Sequence, residues 1–183
     1  MKYFFLLFSL FFIGCTADEA IETNKTQLSP NTDSIIVSKE KEQKIELSKL
    51  YKPYNPDADA AQDLAALKEK AKKENKNILI QAGGNWCIWC LRFEKFKNEH
   101  QQIKSLIENN YLSYHLNYSE ENKNEAVLKS LGDPGRLGYP VFVILNKDGQ
   151  VLHTQGSESL EDGKDSYLEA NVLQFLNTWK AKS

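Results

Sequence analysis

The sequence predicts an α/β sandwich with an antiparallel hairpin at one edge of its sheet. Helical and strand patterns alternate between residues 57 and 180, which favours helices packed on a central sheet. Two of the strand patterns, over 77–82 and 141–145, are apolar in the manner of strands buried on both faces. The turn Lys147-Asp148-Gly149 joins the second of these to a further strand pattern and closes the hairpin.

The first element of the predicted domain is a helix that begins near Asp57. Acidic residues precede lysines along it, which suits the helix dipole, and Leu64, Leu67 and Ala71 form an apolar stripe at helical spacing. The patterns that follow in chain order are a strand over 77–82, a long helix over 87–109 bent near residue 99, a strand over 111–118, a helix over 121–131, strands over 141–145 and 151–155, and a final helix over 170–180.

Length and composition allow one folded domain with extensions. The chain has 183 residues, of which 41% are hydrophobic, so it can build a core. Its formal net charge of −2 comes without a dominant basic face, so we expect no nucleic-acid partner.

The chain start has the layout of a secretory signal. Lys2 precedes a mostly apolar run over 3–13, which is too short to span a bilayer. The run ends at Gly14-Cys15, which resembles the lipobox of bacterial lipoproteins, although Phe12 stands where leucine is usual. This resemblance implies a signal over 1–15, a lipidated Cys15 and a membrane anchor facing the periplasm or the cell surface. An ordinary signal peptide with an incidental cysteine is the alternative.

A flexible tether is predicted over residues 16–56. Thr, Asn, Ser, Lys and Glu dominate there, and such a composition buries too little apolar surface to offset the entropy of ordering. A short helix over 40–50 is the one element that the pattern leaves open. The folded domain is therefore assigned to 57–183.

The motif that carries chemistry is Trp86-Cys87-Ile88-Trp89-Cys90, which follows a strand and opens a helix. Cysteines three apart at a helix start lie on one face, within reach of a disulfide. Unpaired backbone N–H groups and the helix dipole favour a thiolate at Cys87, so we expect Cys87 to attack and Cys90 to resolve the mixed disulfide.

Other uses of the cysteine pair are less well supported. A zinc site needs two more ligands at suitable spacing, and the three histidines are scattered. Covalent haem needs a histidine after Cys90, where residue 91 is leucine. A structural disulfide is the remaining alternative, yet so short a loop removes little chain entropy. We therefore expect no metal and no cofactor.

The segment over 77–90 resembles the strand and active-site turn of thioredoxins. It is most similar to the periplasmic thioredoxin-like domains related to the C-terminal domain of the transmembrane thiol:disulfide interchange protein. A second motif, Gly138-Tyr139-Pro140 followed by a buried strand, supports the resemblance, and proline at the first residue of a strand is tolerated. The resemblance covers about residues 57–180.

The resemblance implies a thioredoxin-like three-layer sandwich, with a mixed central sheet and helices on both faces. It implies a cis peptide before Pro140, which lies against the disulfide, and a Tyr139 backbone that pairs with substrate. The implied activity is reduction or exchange of disulfides in exported proteins, with electrons from a membrane-embedded thiol reductant. A disulfide-forming oxidase and a non-catalytic binding module on the same fold remain alternatives.

The chain departs from the family at two buried positions. Gln81 stands where thioredoxins usually carry a buried Asp, and an amide cannot accept the proton of the second cysteine. His115 aligns with their buried strand lysine. An ordinary half-buried histidine is the simpler interpretation, and proton transfer to Cys90 is the sharper hypothesis.

Aromatic residues flank the cysteine pair. Trp86 and Trp89 are candidates for an apolar lip that receives an extended peptide, with ordinary packing as the equal alternative. Phe93, Phe96 and Trp179 are expected to belong to the core.

Overall fold

The computed structural model describes residues 30–181, with side chains from residue 36 onward. Contacts divide the chain into two units, Met1–Val37 and Ser38–Ser183, and the second unit contains the sheet. Cys15 and the predicted signal over 1–15 lie outside the described residues, so both stay predictions.

The sheet is mixed and places the hairpin at one edge, as the sequence predicts. Its strands are β1 (Asn77–Gly83), β2 (Tyr111–Asn117), β3 (Val141–Leu145) and β4 (Val151–Gly156). The order across the sheet is β2-β1-β3-β4. β1 runs parallel to β2 and antiparallel to β3, and β4 returns antiparallel to β3.

The helices of the described part are α1 (Pro30–Lys49), α2 (Ala60–Glu74), α3 (Ile88–Glu99), α4 (Gln101–Asn110), α5 (Glu125–Ser130) and α6 (Glu169–Trp179). α2 begins where the Asp59 side chain accepts the N–H groups of Ala61 and Gln62, and it ends at Asn75 in the left-handed conformation. None of the helices in this part of the chain is long and apolar enough to cross a membrane.

Two apolar layers separate the sheet from its helices, which confirms the three-layer architecture. Side chains alternate along each strand, so β1 sends Ile78 and Ile80 to one face and Leu79 to the other. The first layer packs against α2 and α5, and the second packs against α3, α4 and α6. Phe93 and Phe96 are buried in the second layer, and Trp179 packs against it, as expected.

Two helix predictions need correction. The helix predicted over 87–109 changes direction where the bend near residue 99 is predicted, but the change is a complete break: the extended backbone of His100 (φ −110°, ψ 92°) separates α3 from α4. The helix predicted over 121–131 is confined to Glu125–Ser130. Its first residues instead form a loop, in which the Asn122 side chain bonds the carbonyl of Pro56 (2.9 Å) and the backbone N–H of Asn124 (3.2 Å). Such side-chain bonds compete with the helical backbone pattern.

The C-terminal part of the predicted tether over 16–56 is ordered. Helix α1 continues to Lys49, and Tyr54 is buried at 3% exposure. The Arg92 guanidinium on α3 donates to both carboxylate oxygens of Glu46 at 2.9 and 2.7 Å. The composition of the segment did not predict this order, because Arg92, the partner of Glu46, lies more than forty residues further along the chain.

Candidate active site

The two cysteines lie at the start of α3, where β1 ends and a short turn follows. Cys87 is the N-cap residue, and its Sγ accepts a hydrogen bond from the backbone N–H of Cys90 at 3.2 Å. A disulfide joins the pair, with 5.2 Å between the two Cα atoms. The pair is therefore disulfide-competent, and the same backbone N–H is placed to stabilise a Cys87 thiolate after reduction.

Both cysteines are buried, and Cys90 is the deeper one. Cys87 retains 4% exposure and Cys90 none. They form a small cluster with Tyr54 and Leu91, against which Tyr139 packs. Access to the disulfide is therefore through Cys87, the order that the assigned roles require.

Gly83, at the end of β1, makes room for Cys90. A Cβ at residue 83 would collide with Cys90 Sγ and would lie 3.1 Å from the Tyr54 hydroxyl oxygen. Any larger residue would displace the sulfur, so the close approach of strand and helix requires glycine here.

Gln81 has a structural task at the position of the usual buried acid. It is 5% exposed, and its Nε2 donates to the carbonyl oxygen of Cys90 at 3.0 Å. The side chain thus ties the first turn of α3 to β1. The sequence left open what Gln81 does at this position. Its side chain holds the Cys90 backbone, and because it is an amide it supplies no carboxylate.

A buried carboxylate does exist nearby, on α3. Glu94 is 5% exposed and binds Lys97 Nζ at 2.7 Å and His115 Nε2 at 3.1 Å. Burial alone would raise the pKa of Glu94, but the hydrogen bonds from His115 and Lys97 outweigh it and lower the pKa to about 2. Glu94 therefore stays ionised near neutral pH and is not a proton acceptor there.

The described contacts of His115 are with Glu94 and Tyr54. The Tyr54 ring meets the imidazole edge to face, with 5.2 Å between ring centroids. These contacts account for a half-buried histidine, and the proposed proton transfer from His115 to Cys90 stays a prediction.

Sequence reasoning missed Tyr54, which lies in the segment assigned to the tether. Two hydrogen bonds fix its backbone to Asn85 in the active-site turn: Tyr54 N–H donates to Oδ1 (3.1 Å) and Nδ2 donates to the Tyr54 carbonyl (2.8 Å). The one available signal was an aromatic residue bracketed by Pro53 and Pro56 just before the first domain helix.

Trp86 and Tyr139 form an aromatic surface beside Cys87. Trp86 is 51% exposed, and its Nε1 donates to the Tyr118 carbonyl at 2.7 Å. Its ring meets Tyr139 edge to face at 5.8 Å, and Tyr139 stacks on Tyr118 at 5.0 Å. The peptide bond between Tyr139 and the buried Pro140 is cis. The three rings thus pack against one another, and that of Tyr139 also packs against the cluster that contains Cys87.

Trp89 is different, because it packs inward. Its ring meets Tyr167 edge to face at 5.7 Å, and the Arg92 guanidinium lies 4.9 Å from its centroid. The Tyr167 hydroxyl donates to the Trp89 carbonyl at 2.8 Å. Of the two predicted lip residues, Trp86 is exposed and Trp89 packs against side chains of the domain, and the substrate-binding role of both stays a prediction.

The fold and the site together define a thioredoxin-like domain with a redox-type cysteine pair. Residues 59–147 match the family model described as thioredoxin-like, and the disulfide of Cys87 and Cys90 within them is consistent with a thiol-disulfide oxidoreductase. No curated protein matches the chain significantly.

A solved structure at a TM-score above 0.5 agrees with this fold, and a more distant one is also similar to the chain. A disulphide isomerase from Xylella fastidiosa Temecula1 is 25% identical, with a TM-score of 0.62 over 70% of this chain and 97% of that one. The C-terminal domain of DsbD from Neisseria meningitidis, in its oxidised form, is more distant, with 17% identity and a TM-score of 0.47 over 67% of this chain and 94% of that one.

Proposed function

We propose that this protein reduces or exchanges disulfides in exported proteins, as a lipid-anchored enzyme facing the periplasm or the cell surface. The observation that carries the proposal is the buried disulfide with Cys87 as the N-cap of α3, next to the exposed Trp86. The solved structure of a disulphide isomerase at 25% identity supports exchange chemistry. The compartment depends on the resemblance of Gly14-Cys15 to a lipobox.

The proposed reaction begins from the reduced pair. The Cys87 thiolate attacks one sulfur of a partner disulfide, forms a mixed disulfide and expels the other partner sulfur as a thiolate. The Cys90 thiolate then attacks Cys87 Sγ, closes the intramolecular disulfide and releases the second partner thiolate. Two electrons pass to the partner, and the two protons first held by the cysteines end on its thiols. A membrane-embedded thiol reductant would reopen the pair.

The aromatic surface gives the partner a place to bind. Trp86 and Tyr139 lie beside Cys87 and present apolar ring faces, on which an extended segment next to a disulfide would lie. Trp86→Ala is expected to raise KM for a peptide disulfide more than it lowers kcat. A fall in kcat alone would argue against a binding role.

Turnover is tested by insulin reduction in the presence of dithiothreitol. Cys87→Ala is expected to lose this activity, while the matched variant Cys15→Ala, which keeps the pair, retains it. Activity unchanged by Cys87→Ala would refute turnover through the cysteine pair.

Direction is tested by redox titration against glutathione. A potential near that of thioredoxin, about −270 mV, would support reduction, while one near −120 mV would support a disulfide-forming oxidase. Partners are tested with Cys90→Ala, which should leave envelope proteins linked to Cys87; an absence of trapped proteins would contradict the exchange mechanism.

The anchor is tested separately. Labelled lipid is expected in the wild-type protein and not in Cys15→Ser. Equal labelling of both would refute the lipoprotein assignment without touching the chemistry.

A further inference from the structure

The side chain of Tyr54 is buried, yet its hydroxyl lacks a partner. Among the described residues, it is the one buried side-chain nitrogen or oxygen without a hydrogen bond. The residue is only 3% exposed, so water does not readily replace the missing acceptor. Leaving a buried hydroxyl unsatisfied is destabilising, so such an atom calls for an explanation.

The hydroxyl lies near the sulfur of Cys90. Both atoms border the space that a Cβ at Gly83 would fill, since that Cβ would meet Cys90 Sγ and would stand 3.1 Å from the Tyr54 oxygen. Tyr54 and Cys90 also belong to the same buried cluster. Because residue 83 is glycine, no atom of its side chain separates the two.

Burial raises the pKa of Tyr54 well above its ordinary value, so the phenol keeps its proton and can donate it to an acceptor. The Gln81 amide is near enough to lower the pKa of Tyr54, but its geometry gives no hydrogen bond to the hydroxyl. Gln81 Nε2 is used by the Cys90 carbonyl, and the Glu94 carboxylate is held by His115 and Lys97.

Whether the Tyr54 hydroxyl has an acceptor depends on the redox state of the cysteine pair. In the closed disulfide, Cys90 Sγ is bonded to Cys87 and is a poor acceptor. In the reduced protein, the sulfur becomes a thiol, and during resolution a thiolate, which accepts hydrogen bonds strongly. We infer that Tyr54 is a positioning residue for the resolving cysteine: its hydroxyl donates to Cys90 Sγ once the disulfide opens. This inference rests on the proposed exchange function.

Such a contact favours the reduced state over the disulfide. The reduced state gains a hydrogen bond, while the oxidised state carries an unsatisfied hydroxyl, and both effects make the pair easier to reduce. Removing the hydroxyl should therefore make the disulfide harder to reduce. The same contact stabilises the Cys90 thiolate as it forms, so its loss should slow resolution.

The test compares Tyr54→Phe with Tyr111→Phe. The Tyr111 hydroxyl is also buried but donates to the Leu176 carbonyl at 2.6 Å, outside the cysteine cluster. In glutathione equilibria, Tyr54→Phe is expected to shift the constant about tenfold toward the disulfide, about 30 mV to more negative potential. Tyr111→Phe should leave it unchanged. An unshifted Tyr54→Phe, or an equal shift in both variants, overturns the inference.

Two further measurements keep the test decisive. The reduced protein should react with Ellman's reagent in two phases, and Tyr54→Phe should slow only the second, in which Cys90 resolves; equal slowing of both phases counts against the inference. In wild-type protein, NMR should show a protected Tyr54 hydroxyl proton when reduced and none when oxidised. The same unprotected signal in both states would overturn it without any variant.

Failure of the proposed function has a different signature. If the wild-type pair does not exchange with glutathione or reduce insulin, the exchange function fails. If it does both, and Tyr54→Phe behaves as wild type, only the role of Tyr54 fails.

Discussion

Glu94→Gln should flatten the acid side of the stability curve. In the folded protein, Lys97 and His115 hold the pKa of the buried Glu94 at about 2. An unfolded Glu titrates near pH 4.3, so the difference of roughly two units corresponds to about 3 kcal/mol. Because the folded pKa is the lower one, this stability is present above about pH 4.3 and is lost as the pH falls toward 2.

The assay is urea unfolding of the oxidised protein at a series of pH values between 6 and 2. The difference in unfolding free energy between wild type and Glu94→Gln should shrink by about 3 kcal/mol over that range. Other carboxylates titrate in both proteins and cancel in the difference. Glu99→Gln is the matched control, since Glu99 lies on the same helix, is 60% exposed and meets Lys95 only at 3.9 Å. The reasoning is refuted if the difference in unfolding free energy between wild type and Glu94→Gln does not change with pH, or if the difference for Glu99→Gln changes equally.

Two further predictions concern the surroundings of the site. Gly83→Ala should reduce exchange with glutathione at least about tenfold and cost about 1–3 kcal/mol of stability, because its Cβ collides with Cys90 Sγ. The control is Gly156→Ala, whose Cβ meets only the Leu137 carbonyl at 3.1 Å and a side-chain carbon, and it should leave exchange intact. Wild-type exchange in Gly83→Ala would contradict the packing argument. Glu46→Gln should weaken the ion pair with Arg92 by about 0.5–1 kcal/mol and quicken limited proteolysis within residues 38–56, and unchanged cleavage there would mean that the pair does not hold the segment.

The sheet and most helices could be predicted because each pattern is local. The apolar run over 77–82 and the turn Lys147-Asp148-Gly149 fix buried strands and a hairpin through neighbours in sequence alone. The cysteine pair was predictable for the same reason, since a strand before it and a helix after it are visible in the sequence. The short α5 was not, because the Asn122 side chain bonds Pro56, sixty-six residues earlier.

The buried surroundings of Cys90 could not be read from sequence, because they assemble from four separate segments. Gly83 ends β1, Glu94 lies on α3, His115 lies on β2, and Tyr54 precedes α2. A lone tyrosine in a polar stretch carries no periodic signal. Its role depends on Asn85, thirty-one residues further on, which bonds its backbone.

The two sulfurs are therefore supported by different kinds of structure. Cys87 is served by the first turn of α3, whose backbone N–H groups would stabilise a thiolate in any helix that begins with cysteine. Cys90 is surrounded by groups from other segments: the neutral amide of Gln81, which donates to its carbonyl, and Tyr54, which lies in the same buried cluster. Reduction potential depends on how each sulfur is stabilised in the reduced state. We therefore expect the neutral groups on the buried side of Cys90 to contribute to the potential of the pair, in addition to the turn that holds Cys87.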